Sequence, residues 1–136
     1  MSPLGSETDE IDQLYGRVTT AILLAEKAEG RGNLGQAAAA YLEVSFFEED
    51  IAKLLPASDP EGEIARRGAL TAAMSAGQFV RAIELGKQYA LDSAVSPALK
   101  QQLDSLRSDA EREARKGARG PILVQPTATF RLLLAA

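Results

Sequence analysis

The chain has 136 residues and a formal net charge of −4, and 46% of its residues are hydrophobic. This composition suits one folded domain with an apolar core and argues against a disordered chain. The absence of cysteine and histidine excludes disulfides, thiolate or histidine metal sites, and triads that need a histidine base.

Charge is divided unevenly along the chain. Residues 1–63 carry 13 acidic and 4 basic side chains, whereas residues 64–136 carry 6 acidic and 11 basic ones. Halves of opposite charge would steer an acidic partner to the C-terminal half or favour head-to-tail self-association. The alternative is that these charges belong to ordinary solvated helix faces.

The first helix is predicted to follow a polar N-terminus. Residues 1–8 lack apolar periodicity and contain Pro3 and Gly5, so we expect them to be disordered, with a helix starting near Glu7 or Thr8. The sequence Gly-Arg-Gly-Asn ends this helix at residues 30–33. Its apolar stripe, at three- and four-residue spacing, comprises Ile11, Leu14, Val18, Ile22 and Ala25, widened by Leu23, Leu24 and Ala28.

The second helix is predicted to begin near Asn33 or Leu34 and to end before Pro56. Within it, residues 46–50 read Phe-Phe-Glu-Glu-Asp. Carboxylates suit a hard cation, but adjacent helical residues point in different directions, so we predict no metal site. Phe46 lies off the core stripe and is expected to contact the third helix or another chain. The stripe itself comprises Ala37, Tyr41, Val44, Phe47, Ile51 and Leu55.

Three further helices are predicted before residue 117. Asp59 and Pro60 are a typical N-cap and first helical residue for a third helix that reaches about Ala76. A fourth helix covers residues 79–91, and Ser96 caps a fifth that ends at Gly117. The sequence therefore predicts an all-α fold of five helices.

The C-terminal segment, residues 118–136, differs from the rest because it contains no acidic residue and is mostly apolar. Three interpretations stay open: the segment folds back and caps a groove, it docks on a partner, or its final Leu-Ala-Ala is a degradation signal. The division is then a disordered N-terminus (1–8), a helical domain (9–117) and an apolar tail (118–136). The expected tail contacts are Ile122, Val124, Phe130, Leu132 and Leu134.

A repeated pattern joins the first two predicted helices to the third and fourth. Residues 32–37 and 77–82 both read Gly-x-apolar-x-x-Ala, where the glycine permits a left-handed turn and the alanine permits close helix approach. This pattern resembles the tetratricopeptide repeat family, and the first pair alone is also similar to microtubule-interacting-and-transport domains. The first unit matches through Leu24, Ala25, Gly32, Leu34, Ala37 and Tyr41, and the second through Gly77, Phe79, Ala82 and Ile83.

Several features depart from the tetratricopeptide pattern. Gly86 stands where the family has an aromatic residue, and the tryptophan typical of the first helix is absent. Gly32 and Gly77 lie 45 residues apart, whereas the family repeats about every 34 residues. A tail packed into the space beside Gly86 is one expectation that follows.

The resemblance implies a right-handed solenoid of antiparallel helix hairpins, with a concave groove that binds a partner peptide or helix. Arg66 and Arg67 are the expected polar anchors, because arginine pairs bidentately with carboxylates. The groove residues that the resemblance implies are Thr19, Leu23, Glu26, Arg67, Thr71, Met74, Ser75 and Gln102.

The function predicted from these observations is a non-enzymatic adaptor or scaffold subunit that binds another protein through its groove or its tail. The alternative is a structural protein that forms homo-oligomers through the tail and its oppositely charged halves. No cofactor and no nucleic-acid partner are expected, because the basic residues near position 115 are interleaved with acidic ones and lack stacking aromatics. With no apolar run of about 18 residues and no signal-peptide pattern, a cytoplasmic location without a membrane partner is expected.

Overall fold

The computed structural model describes residues 3–117, with side chains from Thr8 onward. This part of the chain is all-α, as predicted, and its helices are α1 (Pro3–Gly30), α2 (Leu34–Leu54), α3 (Pro60–Ser75), α4 (Phe79–Ala90) and α5 (Pro97–Gly117). The predicted tail contacts Ile122, Val124, Phe130, Leu132 and Leu134 lie outside the described residues.

Helices α2, α3 and α5 each begin at a side-chain cap, and the caps of α3 and α5 are the predicted residues Asp59 and Ser96. Asn33 Oδ1 accepts a hydrogen bond from the Gln36 amide at 3.1 Å, and Asp59 Oδ1 accepts one from the Glu61 amide at 2.8 Å. Ser96 Oγ accepts one from the Leu99 amide at 3.1 Å. Each cap satisfies a backbone donor that the first turn of a helix leaves without a partner.

The start of α1 differs from the prediction. The helix begins at Pro3 rather than near Glu7 or Thr8, so it includes residues 3–8, for which disorder is predicted. Proline is well tolerated in a first helical turn, where its missing N–H costs no hydrogen bond. Apolar periodicity reports burial against a neighbour, so the polar residues 5–8 give no periodic signal even when they are helical.

Two glycines close α1 and α3 with the same turn. Gly32 and Gly77 have φ values of 73° and 74°, in the left-handed region that glycine adopts without steric cost. The Asn33 amide donates to Ala28 O at 2.9 Å and the Gln78 amide to Ala73 O at 2.8 Å. Both are Schellman motifs, which confirms the predicted left-handed turns. Such motifs end helices in many folds and do not by themselves establish a repeat.

Helix α3 is the centre of the described domain, because it packs against α2, α4 and α5. Its buried positions are mostly small, and they include Ala65, Gly68, Ala69, Ala72 and Ala73, which lets neighbouring helices approach closely. In addition, α1 packs against α2 and α4 packs against α5, whereas α1 and α3 do not pack together. The first helices of the two hairpins, α1 and α3, therefore do not stack on each other, and a solenoid is not established.

Some predicted packing positions are occupied differently in the structure. Leu23 and Leu24, expected to widen the core stripe of α1, are 64% and 56% exposed, because they project away from the core while Ala21 and Ala25 are buried in it. The space beside Gly86 is filled by Arg107 of α5 and Leu70 of α3, which lie 3.2 and 3.3 Å from where a Cβ would stand. Among the described residues, helices α3 and α5 pack there, and the expected contact with the tail lies outside the described residues.

Candidate functional site

The predicted groove residues are only partly brought together. On α1, Thr19, Leu23 and Glu26 are exposed, but α1 does not pack against α3. The link between these helices is the Tyr15 hydroxyl, which donates to Glu61 Oε2 at 2.8 Å. The predicted groove residues on α1 and those on α3 therefore do not form one closely packed surface.

On α3 the outcome is mixed. Thr71 and Ser75 are buried, so they offer almost no surface to a partner, because α3 is enclosed by α2, α4 and α5. Met74 is half-buried. Arg67 and Gln102 do meet, since Arg67 Nη1 donates to Gln102 Oε1 at 2.8 Å, but this hydrogen bond ties α3 to α5.

Arg66 is expected from the sequence to anchor a partner, and the structure overturns that expectation. The side chain is only 7% exposed and its guanidinium donates to Ala52 O and Leu55 O, both at 3.1 Å. These carbonyls belong to the C-terminal end of α2, where backbone acceptors lack helical partners and a positive charge is favourable. Arg66 therefore fastens the end of α2 to α3.

A buried polar cluster occupies the interface of α2, α3 and α4. We define this polar cluster as Ser45, Glu48, Glu49, Arg66, Arg81 and Tyr89. Ser45 Oγ donates to Ala69 O at 2.7 Å and accepts from Arg81 Nε at 3.0 Å. Arg81 also donates to Glu49 Oε1 at 2.7 Å, so α4 is attached to α2 through charge-assisted hydrogen bonds.

Phe46 borders this cluster and is partly covered by α4. The Arg81 guanidinium lies 4.2 Å from the centroid of the Phe46 ring, a cation–π arrangement. The sequence predicts that Phe46 contacts the third helix or another chain, and the half-exposed ring instead packs beneath Arg81.

Glu48 is the unusual member of the polar cluster. It is 2% exposed, so its carboxyl group is enclosed in the interface between the helices. The group fits because residue 68 is glycine: a Cβ there would lie 2.5 Å from Glu48 Oε2. Burial raises the pKa of Glu48 from 4.5 to about 8, since a low-dielectric site disfavours the charged form.

Tyr89 is the member of the polar cluster that belongs to the C-terminal end of α4. Its hydroxyl is buried and has no hydrogen-bond partner among the described residues, and the Arg66 guanidinium lies 5.5 Å from its ring centroid. Burial, with the nearby Glu49 charge next in size, raises the pKa of Tyr89 above its ordinary value. Strongly shifted groups also occur in structural networks, and here the basic members are engaged with helix ends and carboxylates. The polar cluster is therefore a helix interface rather than an open reaction site.

Within the described residues, an accessible concave surface lies between α1 and α2. Two adjoining cavities of about 420 and 460 Å³ share Gln13 and Arg17. We call them together the outer groove. One end is lined by Glu10, Leu14, Asp50, Lys53 and Leu54, and the other by Gly16, Thr20, Ala21, Leu24, Glu43 and Phe47.

The outer groove has a mainly apolar end and a mainly charged end, and charged side chains lie along its margin. Leu24 and Phe47 line the same end from opposite helices, together with Glu43 and Arg17. At the other end, Lys53 lies 3.8 Å from Asp50 and 4.0 Å from Glu49, so its positive charge is already balanced, and Glu10 adds a further carboxylate. The outer groove is not among the surfaces predicted from the sequence, although Leu24 on a helix that also carries Gly16 and Thr20 is a signal for it.

Within residues 3–117, no group of three or more acidic side chains could hold a metal ion. None of the helices in this range is long and apolar enough to cross a membrane. No family model, curated protein or solved structure matches the chain.

Proposed function

We propose that this protein is an interaction module that binds an amphipathic helix of a partner protein in the outer groove. The observation that carries the proposal is Leu24, which is 56% exposed at the edge of a groove that no other described helix covers. A large apolar side chain beside a concave surface is typical of helix-in-groove recognition.

The lining of the outer groove supports this kind of partner. Ala21 is small and Leu24 and Phe47 are large, so a partner leucine or phenylalanine would find both space and apolar contact. Burying one such side chain contributes about 1.5–3 kcal/mol. Glu10 and Glu43 at the margin favour lysine or arginine on the flanks of the partner helix, whereas Asp50 is already paired with Lys53.

The proposal retains the predicted role of a cytoplasmic, non-enzymatic adaptor but changes the surface. A tetratricopeptide-like organisation also belongs to the proposal, and it rests on the sequence pattern around Gly32 and Gly77. In such a protein the partner would meet the side of the first hairpin rather than the face around Thr71 and Ser75, because those two residues are buried.

The test uses a designed peptide of about 18 residues with leucines at i, i+3, i+4 and i+7 and lysines on its flanks. Titrated into the isotope-labelled full chain, it should shift the amide resonances of Thr20, Leu24 and Glu43 with a saturating curve. A peptide of the same pattern with glutamates in place of the lysines should bind more weakly, because the groove margin carries Glu10, Glu43 and Asp50.

Two variants make the test specific to the outer groove. Leu24→Glu should weaken binding at least about tenfold, equivalent to about 1.4 kcal/mol. Leu91→Glu is the matched control, because Leu91 is 86% exposed but lies after α4 and away from the groove. Equal weakening by both changes, or shifts centred on another surface, would contradict the proposal.

A further inference from the structure

The C-terminal segment has a composition that is complementary to the lining of the outer groove. Residues 118–136 include eleven apolar side chains and only two charged ones, Arg119 and Arg131. Transfer of these apolar side chains from water to an apolar surface lowers the free energy of the chain. The two arginines give the segment the sign of charge that the groove margin favours.

The groove offers what this segment requires. Leu24 and Phe47 provide apolar contact, while Glu10 and Glu43 are placed to meet an arginine at either end. The same division exists at the scale of the chain, since residues 1–63 carry an excess of acidic side chains and residues 64–136 an excess of basic ones.

The connection is long enough to reach. Helix α5 ends at Gly117, and the path from α5 to α1 passes through α3 and α2, a distance of roughly 24–30 Å at ordinary helix spacing. The segment 118–136 would span up to about 60 Å if extended. Tethering also gives it an effective concentration on the order of millimolar.

We propose that the C-terminal segment, residues 118–136, occupies the outer groove of its own chain and competes there with the partner helix. This inference rests on the proposed function and names a regulator of the same site. The contact is autoinhibitory, because a partner must displace the segment before it can bind.

The experiment places a spin label near the end of the full chain. The sequence contains no cysteine, so Ala135→Cys gives a unique attachment point. In an isotope-labelled chain carrying the nitroxide, the amide signals of Thr20, Leu24 and Glu43 should broaden, and reducing the nitroxide should restore them. Leu24→Glu should abolish the broadening, whereas Leu91→Glu should leave it unchanged.

A mixed sample distinguishes this chain from a second copy. When the isotope-labelled chain lacks the spin label and an unlabelled chain carries it, the groove signals should stay sharp. Broadening in the mixed sample would overturn the proposal in favour of exchange between copies. Broadening centred on α4 or α5, or none at all, would overturn it as well.

Release of the segment separates this inference from the proposed function. The double change Phe130→Asp and Leu133→Asp should remove the broadening and tighten binding of the lysine-flanked peptide at least about tenfold. If the peptide binds the groove equally with and without these changes, autoinhibition is wrong and the proposed function stands. If the broadening is present but the released protein binds no peptide, the groove serves only its own chain and the proposed function is wrong.

Discussion

Each side of α2 carries exceptions to the usual distribution of residue types. The buried side contains core residues such as Val44 and Ile51, but it also encloses the polar residues Ser45 and Glu48. The side that faces the outer groove carries Phe47 and Leu54, which are only half-buried. Buried polar groups and exposed apolar groups are the informative exceptions in a folded protein, and here one helix carries both.

The difference shows that the two sides of α2 serve different purposes. On the buried side, Arg66 and Arg81 hold three helices together through directed hydrogen bonds, and Glu48 is buried beside them. On the groove side, apolar side chains remain partly exposed to water, so covering them with another chain segment would be favourable. The following predictions separate the two roles.

The largest effect is expected from Glu48→Gln, measured as the free energy of unfolding between pH 4.5 and 9. Burial raises the pKa of Glu48 in the folded protein from 4.5 to about 8. Between these two values the folded protein retains a proton that the unfolded chain releases. Stability of the parent therefore falls as pH rises from 4.5 and levels off above 8. The glutamine variant carries no such proton, and its advantage should grow by roughly 4–5 kcal/mol across the window.

The control for this prediction is Glu84→Gln, which removes an exposed carboxylate of α4. Its pH dependence should follow that of the parent. A Glu48→Gln curve parallel to the parent would show that Glu48 is ionised in the folded protein and that the carboxyl group has a partner.

A second large effect is expected from Arg66→Met, which keeps much of the apolar stem and removes the guanidinium. Ala52 O and Leu55 O would lose their donor, and unsatisfied buried acceptors cost about 1–3 kcal/mol each. Urea unfolding should show a loss of about 2–4 kcal/mol. Arg67→Met is the paired comparison and should cost less, because Arg67 donates through Nη1 to one exposed side chain, Gln102. Equal losses would contradict the role assigned to Arg66.

Two glycine substitutions should act in opposite directions. Gly68→Ala would place a methyl group 2.5 Å from Glu48 Oε2, and overpacking of this kind costs about 1–3 kcal/mol. Gly16→Ala lies on the groove side of α1, where a Cβ meets nothing within 4 Å. That change should stabilise the protein by about 0.5–1 kcal/mol through helix propensity. Thermal melts of both variants would check the signs, and stabilisation by both would mean that the α2–α3 interface can accommodate a methyl group.

The smallest effect on stability is expected from Leu24→Glu, which removes the exposed apolar side chain of the groove. In the Phe130→Asp, Leu133→Asp background, where the segment no longer docks, the free energy of unfolding should change by about 0.5 kcal/mol or less, because more than half of the Leu24 side chain is in solvent. Leu91→Glu should behave in the same way. A loss above about 2 kcal/mol for Leu24→Glu, and not for Leu91→Glu, in this background would show that Leu24 belongs to the core.

The sequence predicts the helices and their ends well, because caps and turns depend on residues close in the chain. Asp59 and Ser96 cap their helices as predicted, and Gly32 and Gly77 adopt the predicted conformation. Sequence periodicity does not show which other helix packs against each face of a helix. Arg66 reads as a groove residue in the sequence because nothing local reveals the carbonyls of α2 beside it.

For Glu48 the sequence does carry a signal. The residue lies four positions after Val44 and three before Ile51, on the stripe that is predicted to face the core. A charged residue at a core position indicates a buried charge or a polar interface. The space that admits it comes from Gly68, which is distant in sequence, so only the packed structure could join the two.

The central position of α3 has a consequence for local opening of the fold. Hydrogen exchange of its amides requires α2, α4 or α5 to move away, so these amides are expected to exchange last, at rates set by global unfolding. The outer turns of α1 lie against α2 alone and should exchange through local fraying. A gradient of exchange from slow in α3 to fast in α1 would mean that the outer groove sits on the most easily opened pair of helices.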